Sequence, residues 1–533
     1  RAQARRVRRV RCKSDYRKRR GRKLISRSHS TLLTNFRKKD GKFCLDILQL
    51  EVRNVKALAN TVMSMASTCS AHSPVELSGS PLFHYQNTSV SKSVANLSKT
   101  AEGLECVRTD VQCLCNLHLS KQMLEQKVLC LQTDTTPACH AHSPTLEDRT
   151  YVYIPNNAIP GNKPLGIGYR VSSVNVGEAS SNWSLPLDLR RVKPEQTAIE
   201  CAVQQINGLF VPTDILPLKD GQLVLNNSDT GYAHPSYVSP LHRHEALINN
   251  VRLRAGSKVW EAAPKKDTGG APRIYAPQPL YLRIATQLNT CRRKGKTYVK
   301  LQPALCELPP DDDIELEHST QTVRLLIIRL RRWNDKMWRT KQGNNMHDKP
   351  LDILCTEVRD ALSGKPVFEQ PVFTGIVGRH KAQISTQLAF ESYRSRYNIE
   401  PAFRFEKQDL MLQTYQPPNV RHFDNWLLVV MLSFWLLFSA SDEVEHVPKK
   451  WQQYPLGSAE HKRQQTKRWS PAQTKKGAQR LFLTFDPTPF LPQNCKKGKG
   501  RQKGQIQTPR PRFKVLKKQS ILTKKQLKTE ILQ

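Results

Sequence analysis

Apolar positions near the start of the ordered part of the chain recur every three or four residues. Leu45, Leu48, Val52, Val55, Leu58, Val62 and Met65 follow that spacing and predict helices across residues 41–125. A Ser/Thr/Asn-rich stretch from Ser73 to Thr100 links the helical pieces. The pattern changes at Lys127. Val128–Thr133 is a short apolar run ending at Asp134, which predicts a buried strand with an acid at its carboxyl edge. Gly166–Val174 alternates as a second strand, and Trp183–Val192 allows a third. Pro194–Leu209 has amphipathic helical spacing with a proline near its first turn. Gln222–Ser228 reads as a fourth strand running into Asp229, and Leu247–Leu253 as a fifth.

The stretch from Trp260 to Gln370 is rich in Pro and Lys, with strand-like runs at Gln321–Leu330 and Leu351–Val358. A structureless loop of that length inside a compact domain is implausible, so residues 260–370 are expected to form a mostly β insertion. Phe373–Gly378 then leads back toward the main body. Trp426–Ala440 is strongly apolar but short of the roughly 20 residues that span a bilayer, so it reads as a buried core helix. The expected division is therefore a basic leader at 1–40, a helical module at 41–125, a core at 126–259 and 371–442, the insertion, and a basic tail at 443–533. Lys496–Gly504 is low-complexity and basic, the kind of segment that stays disordered and grips phosphates without reading sequence.

Charge narrows the partners. Of 533 residues, 84 are Lys or Arg and 45 are Asp or Glu, a formal net charge of +39. A polyanion is the simplest partner for that charge, with an anionic membrane surface as the competitor. The 13 cysteines are odd in number and scattered, which excludes a secreted disulfide scaffold. The densest group, Cys106, Cys113 and Cys115 with Cys130, Cys139, His140 and His142 beyond, lacks the paired spacing of a structural zinc site and reads as reduced thiols of a cytosolic protein. The Arg-rich opening from Arg1 to Lys23 reads as a fragment end, an upstream extension or a disordered arm.

One motif carries chemistry. Tyr393, Arg396, Glu400 and Lys407 fit the spacing Y-x2-R-x3-E-x6-K. On one continuous helix these four side chains would share a face bearing a ring, two cations and a carboxylate. The spacing resembles the signature of the DDE transposases of bacterial insertion sequences, in the branch named for that motif. Phe403–Gln408, Tyr415–Val420, His422 and Asn425-Trp426 are similar to the segment that follows the catalytic glutamate there. Gln132–Pro137, with Asp148-Arg149, Asn162–Pro164 and Gly168-Tyr169, looks like the first-aspartate region; Ser228–Tyr232, followed by Val251–Arg254, looks like the second.

The resemblance implies an α/β protein with a ribonuclease-H-like catalytic core, in keeping with the predicted order of three strands, a helix, two strands and a late helix. It implies that Asp134, Asp229 and Glu400 are catalytic and hold two divalent ions, Mg2+ or Mn2+, since oxygen-only donors favour hard cations. Tyr393, Arg396 and Lys407 would contact DNA, and the helical module would recognise the element ends. The partners are then double-stranded DNA, as transposon ends and target, and a second copy in the DNA complex, with no membrane; the compartment is the bacterial cytoplasm beside the nucleoid. Pro401 departs from the pattern. A proline directly after the glutamate is expected to kink the helix and misplace the carboxylate, so the alternative is an inactive DNA-binding remnant. A weaker one is a basic membrane-associated protein using Trp426–Ala440.

Overall fold

The computed structural model describes residues 46–50, 52–154, 165–177, 182–210, 215–263, 274–283, 285–293, 295–319, 325–338, 346, 348–445, 469–485, 504, 506 and 508–517. The basic leader, Asn162–Pro164, most of Lys496–Gly504 and the last residues of the tail lie outside this set.

The described chain is mixed α/β. It opens with five helices: α1 (Val55–Ser67), α2 (Pro74–Leu77), α3 (Asn87–Ala95), α4 (Ala101–Asn116) and α5 (Lys121–Glu125). Side-chain oxygens of Ser73, Thr100 and Ser120 cap α2, α4 and α5 by accepting first-turn N–H groups. Then come β1 (Val128–Cys139), β2 (Thr150–Tyr153), β3 (Leu165–Gly177), β4 (Ser184–Arg191), α6 (Ala198–Phe210), β5 (Leu223–Ser228), α7 (Pro235–Leu241) and β6 (Leu247–Leu253). The later part holds β7 (Lys258–Val259), β8 (Leu280–Tyr281), β9 (Gln287–Arg293), β10 (Lys296–Gln302), β11 (Asp312–Ser319), β12 (Leu325–Lys336), β13 (Leu351–Asp360) and β14 (Val372–Val377). Four helices close it: α8 (Thr386–Ser395), α9 (Ile399–Gln408), α10 (Val420–Ala440) and α11 (Pro471–Phe485).

Ten strands form one mixed sheet in the order β11-β12-β13-β14-β6-β5-β1-β3-β2, with β4 also paired to β3. At its centre β1, β5 and β6 run parallel. On one side β1 meets β3, and β3 meets β4, antiparallel; on the other β6 meets β14 antiparallel. β5 is buried along its whole length, as the apolar Leu-Val-Leu of its first half requires.

The stretch expected as an insertion contains strands, but its outer strands do not pack as a body beside the core. β11, β12 and β13 continue the main sheet beyond β14, because β14 leaves one edge free for Thr356–Asp352 of β13 to pair. Within it, β9 and β10 form a separate two-stranded hairpin.

The apolar run read as a 15-residue core helix extends to the 21 residues of α10, started by the Asn419 side chain accepting from His422 N–H. By length and composition α10 could cross a membrane. Here its apolar side chains, Trp426 through Phe438, are buried in the core shared with Leu58 and Val62 of α1 and Leu187 of β4. Polar ties hold it in place. Asn425 Nδ2 donates to the carbonyls of Val94 (2.8 Å) and Ser98 (3.2 Å), and Trp435 Nε1 donates to that of Pro186 (2.7 Å). The helices of 55–125 are thereby joined to the sheet, and Arg108 of α4 pairs with the fully buried Asp188 of β4 at 3.1 Å.

Two parts of the basic tail are among the described residues and are packed against the core. Pro471–Phe485 is a helix with Ala478 and Phe482 buried. Residues 508–517 return to the β2 end of the sheet, where Leu516 N–H donates to the Arg149 carbonyl and Phe513 N–H to that of Pro144, both at 2.8 Å. Arg149 answers by donating to the Phe513 carbonyl at 3.1 Å.

Candidate active site

Asp134 stands midway along β1, not at its end. Antiparallel pairing with β3 continues to Cys139↔Gly168, whereas parallel pairing with β5 stops at Thr133↔Ser228. The residues just past that last rung are Asp134, within β1, and Asp229, which follows the end of β5, side by side where the parallel pairing stops. Asp229 keeps an extended backbone (φ −78°, ψ 174°) before the chain turns into a short 3-10 segment, Thr230–Tyr232. Residues in register on neighbouring parallel strands point to the same face, so the two carboxylates project together.

That face is covered by α8. Gln132 and Asn227, two residues' register away on the same face, reach it directly: Gln132 Nε2 donates to the Ser395 carbonyl at 2.8 Å and Asn227 Nδ2 to Ser392 Oγ at 2.6 Å. Asn250 Nδ2 on β6 donates to the Ala389 carbonyl at 3.0 Å and to Asn227 Oδ1 at 3.0 Å. On the opposite face Asn226 Nδ2 donates to Tyr237 Oη (2.8 Å) and to Asn249 Oδ1 (3.0 Å), while Thr133 Oγ1 donates to Asn226 Oδ1 at 2.7 Å. All of these asparagines are buried. Buried amides hold position only when paired, and here the doublets Asn226-Asn227 and Asn249-Asn250 rivet the two central strands to the helices on both faces. The sequence reading missed them. Their signal was two Asn-Asn pairs set in otherwise apolar strands.

The signature residues do not lie on one helix, as their spacing predicted. Ser385 caps α8 by accepting from Leu388 N–H, and the helix ends at Ser395. Arg396–Asn398 is a 3-10 turn, and α9 begins at Ile399. Tyr393 therefore lies on α8, Arg396 in the turn, and Glu400 and Lys407 on α9. The break also accommodates Pro401. It is the third residue of α9, where a first-turn N–H has no intrahelical acceptor to lose. Helix α9 runs from Ile399 through Pro401 to Gln408, and the interruption of the signature falls before it, at Arg396–Asn398.

Tyr393 and Arg396 are buried, at 6% and 2% exposure, while the Glu400 side chain is 59% exposed. Arg396 Nη1 donates to Asp134 Oδ2 at 3.1 Å, and its Nη2 lies 3.9 Å from Glu400 Oε1. The guanidinium also sits over the Tyr397 ring at 4.7 Å and the Tyr393 ring at 5.6 Å. The residue expected to contact phosphate thus stands between two of the expected catalytic acids. Lys407 is half-buried near Cys139, at the far end of β1, and burial lowers its pKa.

Burial raises the Asp134 carboxyl to about 6, opposed by the Thr135 N–H and by Arg396 and reinforced by the charges of Asp229 and Glu400. Thr135 N–H donates to Asp134 Oδ1 at 2.7 Å. Beside Asp229, a polar cleft lined by Thr230, Arg252, Arg254, Gln370 and Phe373 adds two cations. Asp134 and Asp229 have the oxygen chemistry a hard dication takes. Among the described residues no three His, Cys, Asp or Glu side chains stand close enough together to hold a metal ion.

No protein-family model matches the chain, and no curated protein matches it.

Proposed function

We propose that this chain is a DNA transposase of the DDE type, cutting at inverted repeats that flank its element and joining the 3′ ends to target DNA. The observation that carries the reading is the pair Asp134 and Asp229, next to each other just past the last parallel rung between β1 and β5, with Arg396 of the 3-10 turn bonded to Asp134 and 3.9 Å from Glu400 of α9. The strand directions support a ribonuclease-H-like core: β1, β3 and β4 antiparallel in succession, then β5 and β6 parallel to β1. The net charge of +39 suits a DNA partner, and Arg252 and Arg254 offer a second pair of cations beside Asp229.

In this reading Asp134, Asp229 and Glu400 hold Mg2+ or Mn2+. Such ions, when bound, lower the pKa of the attacking water or hydroxyl and stabilise the leaving oxygen. The chain's own part is to set Asp134 beside Asp229, keep Asp134 ionised by pairing it with Arg396, and orient the backbone phosphate with its surrounding cations. The helical module would bind the element ends, and two copies would assemble on paired ends.

The deciding experiment incubates the full chain with DNA carrying the element's ends. Nicking that requires Mg2+ or Mn2+, and that Asp134→Asn and Asp229→Asn both abolish while retaining DNA binding, supports the reading. Salt-sensitive DNA binding with no cleavage in either metal favours the inactive remnant instead. Because Pro401 sits in the first turn of α9 and not in a helix interior, the main reason for that second reading is weakened.

A further inference from the structure

The hairpin β9–β10 sets cations and a ring in a row along one face. Its register pairs Tyr298 with Cys291, Lys300 with Asn289 and Gln302 with Gln287. Cross-strand partners share a face and successive residues alternate between faces. Lys296, Tyr298, Lys300, Gln302 and Gln287 therefore lie on the same side, and the first three are exposed. The opposite side carries the exposed Leu288, Val299 and Leu301, with Arg292 toward the tip. Arg283 closes the base. It donates to Gln287 Oε1 at 2.5 Å and to Gln302 Oε1, the pair that ends the ladder. The Arg283 guanidinium lies 4.3 Å from the centroid of the Tyr281 ring, and Lys258 Nζ lies 5.0 Å from the same centroid. Lys296, Lys300, Arg283 and Lys258, with Tyr298 and Tyr281 among them, thus run from the tip of the hairpin to the β7–β8 pair at its base. No Asp or Glu occurs in the sequence between Asp267 and Glu307. Glu307 itself accepts from Thr286 N–H at 2.7 Å, at the base and away from the tip. A surface that only keeps a protein soluble intersperses both signs of charge; this one does not.

We propose that this ribbon, with Lys258 and Arg283 at its base, is a docking surface for the phosphates of duplex DNA. The proposal rests on the reading of DNA as the partner, and not on any activity of Asp134 and Asp229. Lys296 and Lys300 stand four residues apart, about 13 Å at the rise of a strand. Duplex DNA carries one charge per about 1.7 Å of its axis, so the row meets several phosphates at once. A ribbon two strands wide fits the major groove of B-form DNA, about 12 Å across, whereas the deep, narrow groove of double-stranded RNA excludes it. Amines that contact phosphate carry no sequence information, so this surface holds any duplex. A membrane would take up the apolar residues first. Leu288 and Leu301 pair one rung from the base, so the cationic tip would have to enter ahead of them.

The test measures binding of the full chain to a fluorescent duplex of arbitrary sequence, about three helical turns long, in EDTA across a salt series. The ribbon variant combines Lys258→Gln, Lys296→Gln and Lys300→Gln. The control combines Lys193→Gln, Lys219→Gln and Lys365→Gln, three exposed lysines of other elements. All six side chains are exposed, so both variants should melt with the parent. The ribbon variant should bind about tenfold or more weakly, and its slope of log affinity against log salt should be shallower by about 2–3, near 0.9 per lost contact. The control should stay within about threefold of the parent. Amides of 287–302 should gain protection from hydrogen exchange when duplex is added. Equal losses in the two variants would mean that only total charge matters, and would overturn the proposal. Parent-level binding by the ribbon variant overturns it as well, and leaves the DNA reading standing. A parent that binds no duplex at all brings down that reading and the ribbon with it. If the ribbon variant keeps duplex binding but loses binding to phosphatidylserine vesicles, the surface belongs to a membrane and the proposal fails.

Discussion

Arg396 Nη1 bonds to Asp134 Oδ2 at 3.1 Å, across 262 positions of the chain. Asp134 is a carboxylate most of whose solvent is gone, and Arg396 is the cation that keeps it ionised. Removing the cation leaves the charge behind. Arg396→Ala is expected to lower stability by about 1.5–3 kcal/mol, the range for a lost charge-assisted hydrogen bond, and to push the Asp134 carboxyl further up. Chemical denaturation of both proteins at pH 7 measures the first effect. If the loss is under half a kcal/mol, the pair contributes no more than a surface ion pair.

The same carboxyl sets a pH dependence. Burial raises Asp134 to about 6, so the folded protein holds a proton there that the unfolded chain has already released. Its contribution to stability therefore falls as pH rises from the ordinary aspartate value toward 6, and is flat above. If Asp134 binds a divalent ion, it does so deprotonated. Mn2+-induced thermal stabilisation should grow as pH rises to about 6 and level off beyond. Asp134→Asn should remove that stabilisation. Equal Mn2+ shifts in parent and variant would count against Asp134 as a ligand.

Glu406 of α9 is fully buried, and neither carboxylate oxygen has a hydrogen-bond partner among the described residues. Burial raises it to about 8. The sign is the same as for Asp134: stability is undiminished below the ordinary glutamate value and declines as pH rises toward 8. Each pKa unit is about 1.4 kcal/mol, so Glu406→Gln should melt well above the parent at pH 9 and close to it at pH 5. Parallel melting curves at both pH values would show that Glu406 finds a partner in solution.

Pro401 sits where a helix tolerates proline. Pro401→Ala and Pro401→His should each change stability by less than about 0.5 kcal/mol and leave any metal-dependent nicking near the parent level. A severalfold gain in nicking by Pro401→His would mean the proline strains the position of Glu400 after all.

Asn227 bonds to both Ser392 Oγ and the Leu131 carbonyl. Asn227→Leu removes those bonds and leaves Asn250 Nδ2 facing an apolar group, at a cost of about 1–3 kcal/mol. Hydrogen exchange across 386–400 should rise in the variant. Unchanged exchange there would remove Asn227 from the set that fixes α8.

The central strands were legible because apolar runs ending in Asp are strong signals, and Leu129–Leu131, Val224-Leu225 and Ile248 fill the positions such runs require. The end of β1 was misread: Thr135–Cys139 carry Thr and Pro, yet pair with β3, and no local preference announces a long-range partner. The broken signature helix was hidden for a related reason. Tyr393, Arg396 and Glu400 have helical spacing whether one turn between them is α or 3-10, so spacing alone could not separate the two. That β11–β13 join the main sheet was invisible, because an edge is claimed by whichever strand reaches it and not by its own composition.

The pairing of β6 with β14 has a consequence for synthesis. Phe373 aligns with Leu253 and Val377 with Asn249, so β6 leaves the ribosome long before the strand that covers its outer edge. Until then the nascent chain carries an open edge of buried-type residues, Val251 and Leu253 among them, able to template pairing with another chain. A polypeptide stopped anywhere between 260 and 370 keeps that edge permanently. Such truncated products should go to aggregates or to chaperones, and fragments meant to fold on their own must run past Val377 before they close.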